Sequence, residues 1–302
     1  IDVFDPRYGV AQPLPLLPSI DQRETRRVLT LYAQDMWDVT DKLTQLGGVR
    51  VDAYRQKLRK NLTGAQSVTT DEPVKFRVGA RYAIDDHLAV HANWGESFLL
   101  NSGSGRDGAG FAPEQGKGYE FGITGRWDGL DLGATFFDIK KRGILTNDPL
   151  DAGFLAPVGQ LTSRGIELDA SWKLGRRWQI VGNYSWVDAR TDDEAFATSA
   201  VLNVPEHSGT LLVVHRLPVL GAQEWQLSGG VTYIGDRAGA VDASGLILPD
   251  YLKAKAALEA PLSEALTLRA EVDNLFDVHY AQSSYSPLWI YPGAPRTARV
   301  SL

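Results

Sequence analysis

The 302-residue sequence contains no cysteine and only one methionine. Without cysteine there are no disulfide bonds, no thiolate metal ligands and no cysteine nucleophile. An excess of basic residues is also missing, since the formal net charge at pH 7 is -6. Nucleic-acid binding needs clusters of Lys and Arg that neutralise phosphates, so we expect no nucleic-acid partner.

Long apolar runs are absent as well. No stretch approaches the roughly 18–20 apolar residues that a membrane-spanning helix needs, and the mean hydropathy is -0.20. A low mean does not argue against a β-barrel, because only alternate residues of a barrel strand face lipid. The sequence shows no signal peptide, and its start at 1–6 is typical of the interior of a chain. We therefore expect a fragment of an exported protein, or one whose signal has been removed.

The sequence does contain a regular series of alternating segments. From 266 to 272 every second residue is apolar, namely Leu266, Leu268, Ala270 and Val272, and polar residues lie between them. Such alternation predicts a strand whose two faces meet different solvents. Thirteen strands are predicted in this way, at 23–37, 43–57, 74–84, 87–98, 115–127, 130–141, 161–173, 177–190, 204–217, 223–236, 250–260, 265–276 and 295–302.

The connections between these strands alternate strictly between short and long. The short ones are 38–42, 85–86, 128–129, 174–176, 218–222 and 261–264, and the long ones are 58–73, 99–114, 142–160, 191–203, 237–249 and 277–294. Outer-membrane barrels sort their connections in this way, with short periplasmic turns and long extracellular loops. The sequence therefore predicts an all-β fold, a transmembrane antiparallel β-barrel. In it, 1–22 form an extracellular loop and 23–302 form the strands, turns and loops.

Two further features concern the membrane. Five tryptophans lie at strand ends next to short turns: Trp37, Trp127, Trp172, Trp178 and Trp225. Because the indole ring prefers a membrane interface, they are predicted to form a periplasmic girdle, with ordinary packing at sheet ends as the alternative. The basic run Lys140-Lys141-Arg142 favours a patch that faces solvent or lipopolysaccharide.

Motifs for catalysis or metal binding are weak. The G-x-G-x-x-G match at 103–108 precedes another predicted strand rather than a helix, so it predicts a loop and not a dinucleotide site. His87 and His91 would lie about 13 Å apart on a strand, too far to share a metal. No nucleophile elbow is present, and a hydrolase would need Ser, His and an acid to converge in the fold. We predict no catalytic residue, no protein metal site, no resident cofactor and no enzyme activity.

Aromatic side chains in the predicted long loops are the candidate ligand contacts. They are Tyr8, Phe111, Phe154, Tyr285, Trp289 and Tyr291. Large exposed aromatic rings are costly unless they bind something or pack together, and packing within a loop is the alternative for any one of them. Trp289 and Tyr291 are the best candidates, because they immediately precede Pro292 and should hang over the barrel mouth. The predicted ligand-binding residues are Tyr8, Phe111, Tyr285, Trp289 and Tyr291.

The end of the chain carries a resemblance to a known family. VDNLFDVHY at 272–280, followed by PGAPRT at 292–297, resembles the C-terminal signature of TonB-dependent outer-membrane receptors, in particular ferric-siderophore receptors. Other segments follow in the order of that family: LYAQDMWDVTDKLTQLGGVRVD, YEFGITGRW, FFDIKKRGILTNDP, TSRGIELDASWKLGRRWQIVGNYSWVDA and VPEHSGTL. The resemblance therefore spans nearly the whole chain.

This resemblance implies a fold and a function. The family barrel has about 22 strands around an N-terminal plug. It lies in the Gram-negative outer membrane, among lipid and lipopolysaccharide, and imports a ferric siderophore with energy from the TonB–ExbB–ExbD system. Iron enters only as part of that ligand.

The chain departs from the family pattern in its extent. Only thirteen strands are predicted, the plug with its TonB-contacting box is absent, and the last strand stops at Val300-Ser301-Leu302. We therefore expect the C-terminal part of the barrel, forming an open, curved sheet whose first and last strands lack their natural partners. The alternative function is a passive porin-like channel or a structural barrel, and an upstream plug would distinguish the two.

Overall fold

The computed structural model describes residues 21–148, 151–157, 159–192, 200–218, 224–240, 244–263 and 265–302. All regular secondary structure in those ranges is β-strand. No helix there is long and apolar enough to cross a membrane. The strands are β1 (Gln22–Asp38), β2 (Leu43–Lys60), β3 (Gln66–Asp71), β4 (Val74–Ala83), β5 (Leu88–Leu99), β6 (Glu114–Trp127), β7 (Leu130–Arg142), β8 (Leu145–Asp148), β9 (Asp151–Pro157), β10 (Gln160–Leu174), β11 (Trp178–Thr191), β12 (His207–Pro218), β13 (Glu224–Ile234), β14 (Arg237–Ala238), β15 (Ile247–Leu248), β16 (Tyr251–Pro261), β17 (Thr267–Asp273), β18 (Ala281–Ser286), β19 (Trp289–Pro292) and β20 (Thr297–Ser301). The predicted all-β fold is confirmed.

One large antiparallel sheet runs through the chain. Its strand order is β1-β2-β4-β5-β6-β7-β10-β11-β12-β13-β16-β17-β20, and β3 joins it as a fourteenth strand by pairing with β2. Each of the thirteen predicted strands corresponds to one member of this path. The remaining strands form three separate two-stranded pairs, β8–β9, β14–β15 and β18–β19. All three lie within connections predicted to be long, and the sequence did not predict them.

The sheet is open. Its path starts at β1 and ends at β20, and the strand pairings of the described residues do not join these two. The expected lack of closure is therefore confirmed. An edge strand presents unpaired N–H and C=O groups, and such edges invite pairing with another strand.

The two faces of the sheet differ as the alternation predicted. Strand registers align Ala134 of β7 with Leu168 of β10, and Leu168 with Tyr184 of β11, in one apolar row. Neighbouring rows are also apolar, and many of these side chains are about half exposed because no second layer covers them. Burial is concentrated instead at the ends with long connections, where Tyr54 and Leu248 are almost fully enclosed.

The opposite face carries ion pairs between directly opposed residues. Glu259 of β16 faces Arg269 of β17 at 3.3 Å, and Glu271 of β17 faces Arg299 of β20 at 2.9 Å. Opposite charges directly across an antiparallel pair stabilise the register. This charged face meets water or a polar partner, while the other face suits hydrocarbon.

The five strand-end tryptophans all lie on the apolar face by register. Trp127 and Trp172 both pair with Leu130, which starts the strand between them. Four of the five are clearly exposed, so their rings are available to an interface. The girdle itself stays a prediction.

The short turns are held by local contacts. In the turn between β4 and β5, one carboxylate oxygen of Asp85 accepts the backbone N–H groups of His87 and Leu88, both at 2.8 Å. These two bonds stabilise the ionised form and lower the pKa of Asp85 below its ordinary value. In the turn between β6 and β7, Gly129 has a φ of 72°, a region that glycine enters without strain.

Candidate ligand-binding site

The last long connection, between β17 and β20, is fixed at its base by Asn274. This residue is fully buried and adopts a φ of 51°. Its side-chain N–H groups donate to the carbonyl oxygens of Val278 and Ala294 at 3.0 and 3.1 Å, and its side-chain oxygen accepts the N–H of Val278 at 2.9 Å. Asn is one of the few residues that adopts this conformation readily and can bond its local backbone. Asn274 therefore joins the strand exit to the strand entry twenty residues later.

Asp277 makes a second join between the same two segments. It has a φ of 55°, and its carboxylate accepts the N–H of Arg296 at 2.8 Å. β17 ends at Asp273, directly before Asn274, three residues earlier than the strand predicted at 265–276. The VDNLFD and PGAPRT motifs thus have a physical explanation, because the first supplies the polar side chains that bind the backbone of the second.

An aromatic pair lies beside this base. The rings of Tyr251 and Tyr280 have their centroids 4.3 Å apart, and the ammonium group of Lys253 lies 5.8 Å from the Tyr280 ring centroid. The same ammonium is 3.2 Å from the carboxylate of Asp273. The Tyr280 ring also lies against Gly293, whose N–H donates to the carbonyl of Tyr280 at 2.7 Å. The ring therefore packs against both a glycine and a second ring.

We expect Gly293→Ala to destabilise this region by about 1–3 kcal/mol, the usual cost of forcing extra volume into a packed site. A Cβ at Gly293 would overlap the Tyr280 ring, and that ring already packs against Tyr251 with its centroid 4.3 Å away. Urea unfolding of the full-length receptor in lipid vesicles measures the loss. Gly95→Ala is the control, since its Cβ would make only an ordinary contact at 3.8 Å.

The Tyr280→Ala change provides a second control. In a Tyr280→Ala background the alanine at 293 has no ring to meet, so its cost should largely vanish. An equal cost in both backgrounds would contradict the steric explanation.

Three of the predicted ligand contacts come together on the β18–β19 hairpin. Tyr285 lies near the end of β18, while Trp289 and Tyr291 lie on β19. Tyr285 and Trp289 are each 60% exposed, and Leu288 at the tip is 99% exposed. The hairpin therefore presents an aromatic surface.

Phe111 lies elsewhere. Its connection, between β5 and β6, docks on β1 and β2, where the Gln56 side-chain amide donates to Glu24 at 2.7 Å and to the carbonyl of Asn101 at 2.6 Å. Phe111 is half-buried and lies close to the glycines of its own loop, 3.7 Å from where a Cβ on Gly105 would be. This is the packing within a loop that the sequence left open as an alternative. The structure does not bring Phe111 to the hairpin, and Tyr8 lies outside the described residues.

The sequence did not reveal the residues that hold the hairpin. These are Asn203 and Arg237, from two other connections, and Asn203 bonds the hairpin at Ser284. Arg237 is only 5% exposed and donates to the carbonyl oxygens of Ala281 and Gln282 at 2.6 and 3.1 Å. The one sequence signal for it was a pair of adjacent charges among small residues, in Gly235-Asp236-Arg237-Ala238-Gly239.

The described residues hold no group of three or more His, Asp or Glu side chains placed to bind a metal ion. The described long connections and the adjoining strand ends offer an aromatic hairpin, a close pair of tilted tyrosine rings and nearby charges. Aromatic side chains with a few charged groups nearby suit the binding of a small organic ligand.

Comparison with known proteins identifies the family. Residues 1–275 match the family model described as "TonB dependent receptor-like, beta-barrel". The chain belongs to this family of TonB-dependent receptors. The resemblance seen in its motifs is confirmed, and this is a family of receptors and transporters of the Gram-negative outer membrane rather than of enzymes.

Curated relatives in this family have named ligands. The chain is 35% identical over 315 residues to the metal-pseudopaline receptor CntO of Pseudomonas aeruginosa, a match that covers 100% of the chain and 44% of that protein. It is 27% identical over 276 residues to the ferrichrome outer membrane transporter/phage receptor of Escherichia coli K12, covering 88% of the chain and 36% of that protein. The chain thus spans less than half the length of these relatives.

Solved structures of TonB-dependent receptors share the fold. The siderophore receptor PiuA from Acinetobacter baumannii superposes with a TM-score of 0.79 at 19% identity, over 93% of this chain and 43% of that one. The ferric-catecholate import receptor Fiu from E. coli K12, in its closed form, gives 0.76 at 22% identity, over 93% of this chain and 45% of that one. The open sheet of this chain therefore corresponds to part of a receptor barrel.

Proposed function

We propose that the chain is the C-terminal part of the barrel of an outer-membrane receptor that imports a metal bound to a small organic chelator. The cargo is a ferric siderophore or a related metal chelate, and the TonB–ExbB–ExbD system supplies the energy through a plug. The observation that carries the proposal is the two-faced sheet. Nearly the whole length of this chain matches part of a receptor barrel. The names of the relatives support a metal chelate as the cargo.

The two faces take different roles in this proposal. The apolar face meets outer-membrane lipid, and the exposed cations Lys140 and Arg142 at the end of β7 meet lipopolysaccharide. The charged face lines the lumen, where Glu259–Arg269 and Glu271–Arg299 would face the plug. The long connections face outside and close on the chelate.

Uptake by the full-length receptor tests the proposal. A host that lacks its own siderophore receptors should gain uptake of at least one chelate from a panel of ferric hydroxamates, ferric catecholates and pseudopaline–metal complexes. That uptake should stop when TonB is removed. Uptake that persists without TonB would instead support the passive porin-like channel.

The hairpin is the proposed contact with the chelate. We expect Trp289→Ala and Tyr291→Ala each to weaken chelate binding by about tenfold or more, because buried aromatic anchors dominate binding energy. Titration of the full-length receptor with the transported chelate measures the affinity. Leu288→Ala is the matched control on the same hairpin, since this side chain is fully exposed.

Unchanged affinity in both aromatic variants would remove the hairpin from the site. Tyr8 and Phe111 stay predictions, because the first lies outside the described residues and the second packs within its own loop.

A further inference from the structure

One side chain, that of Asn203, forms two hydrogen bonds with the backbone of the β18–β19 hairpin. Asn203, in the connection between β11 and β12, donates a side-chain N–H to the carbonyl of Ser284 at 2.8 Å. Its side-chain oxygen accepts the N–H of Ser284, also at 2.8 Å. The amide of Asn203 therefore substitutes for a neighbouring strand at this one residue. Its φ of 61° is one that asparagine tolerates.

The backbone at Asn203 ties in a third segment. The N–H of Asn203 donates to the carbonyl of Ala238 at 2.9 Å, in the connection between β13 and β16. Ser284 is only 3% exposed, and its hydroxyl donates to the carbonyl of Gly239 in that same connection. The N–H, the carbonyl and the hydroxyl of Ser284 are therefore each bonded to one of the two neighbouring connections.

Arg237 makes the second attachment. One terminal nitrogen donates to the carbonyls of Ala281 and Gln282 at the start of the hairpin, and the other to those of Gly235 and Pro249 at 3.4 and 3.5 Å. The guanidinium carbon lies 5.5 Å from the centroid of the Tyr251 ring. The planar fork of arginine carries five N–H donors in a fixed geometry, which suits bonding to several carbonyls at once.

A small apolar core lies beneath these bonds. Leu248 is 1% exposed, and Ala238 and Ala240 are also buried. A Cβ added to Gly239 would lie 2.9 Å from atoms of the Leu246 and Leu248 side chains, so the backbone is in close contact with this core. The connection between β13 and β16 therefore has its own apolar interior, and polar contacts join it to the other two connections.

We propose that Asn203 and Arg237 are positioning residues, which lock the aromatic hairpin to the two neighbouring connections so that all three form one rigid body. The hairpin then holds its aromatic rings ready for the chelate and does not move as an independent gate. This inference rests on the proposed function for its effect on binding. The claim that the hairpin is immobile depends only on the hydrogen bonds of Asn203 and Arg237.

Spin labelling of the full-length receptor in lipid vesicles tests the lock. The label is attached at Leu288→Cys, because this tip residue is fully exposed and the 302-residue sequence contains no cysteine of its own. Asn203→Asp keeps the shape but replaces the N–H donor by an oxygen that faces the Ser284 carbonyl. Arg237→Lys keeps the charge but loses the fork. Each change should raise the mobility of the label and weaken chelate binding by about tenfold, the loss expected for one or two hydrogen bonds to buried groups.

The controls carry the same substitutions at exposed residues near the end of β2. Asn61→Asp and Arg59→Lys should leave both the label and the affinity unchanged. Restoring the side chains at 203 and 237 should restore the immobile spectrum.

Label mobility that stays unchanged in both variants would overturn the lock. Increased mobility with full affinity would overturn the claim that the lock positions the binding surface. A wild-type receptor that binds no metal chelate would contradict the proposed function instead, and the label would still report on the lock.

Discussion

Replacing Asn274 by alanine should destabilise the folded receptor by about 3 kcal/mol or more. The change leaves one N–H and two carbonyl groups without their partners, and each buried unsatisfied group costs about 1–3 kcal/mol. These groups belong to Val278 and Ala294, and the residue that bonds them is fully buried. Alanine also tolerates the φ of 51° less well than asparagine. Water replaces the lost bonds only in part, because all three are part-buried even though Ala294 itself is exposed.

Urea unfolding of the receptor in lipid vesicles measures the loss. The matched control is Asn183→Ala, because Asn183 is exposed and its side chain makes one bond, to the N–H of Thr210 at 3.1 Å. We expect the control to cost less than about 1 kcal/mol. Equal losses at the two positions would show that Asn274 does not anchor the connection.

Asn274→Asp separates the two kinds of bond. The carboxylate can still accept the N–H of Val278, but it cannot donate to the carbonyls of Val278 and Ala294. A loss similar to that of the alanine variant would assign most of the effect to the two donated bonds.

The strands were predictable because their signal is local. Alternation with a period of two is set by neighbouring residues, and it holds wherever a strand separates two solvents. In β17 it placed Leu268 and Ala270 on one face, and the register sets them opposite Ala260 and Leu258 of β16. The alternation of short and long connections then gave the antiparallel path without any knowledge of the pairs.

The arrangement of the long connections was not predictable, because it depends on contacts between distant residues. Asn203 and Ser284 are 81 positions apart, and nothing near either residue indicates the other. The β18–β19 hairpin also lacks the alternating pattern, since Ala281–Ser286 is mostly small and polar. The aromatic residues were found by type alone. For that reason the sequence grouped Phe111 with Trp289, although they lie on connections at different parts of the sheet.

A single arginine on each face of β7 should separate lipid from lumen. We expect Ala134→Arg to destabilise the receptor by about 2–4 kcal/mol, the range for arginine on the lipid face near the middle of a bilayer. Ala134 lies four residues after Leu130, which pairs with two girdle tryptophans. Four residues of strand cover about 13 Å, so Ala134 lies near the middle of an apolar band about 25 Å tall.

Thr135→Arg is the matched control, one residue along the same strand and on the opposite face. Its new guanidinium would lie on the charged face, directly across from Glu167, and opposite charges in that position attract. We expect a change within about 1 kcal/mol. Unfolding in lipid vesicles compares the two variants under the same conditions.

If both arginines cost the same, the apolar face does not meet lipid, and the sheet would have to bury that face against protein instead. A large difference between neighbouring residues has no explanation in local strand propensity, because both changes are to arginine in one strand. It requires that the solvent differs between the two faces, which is the property on which the barrel assignment depends.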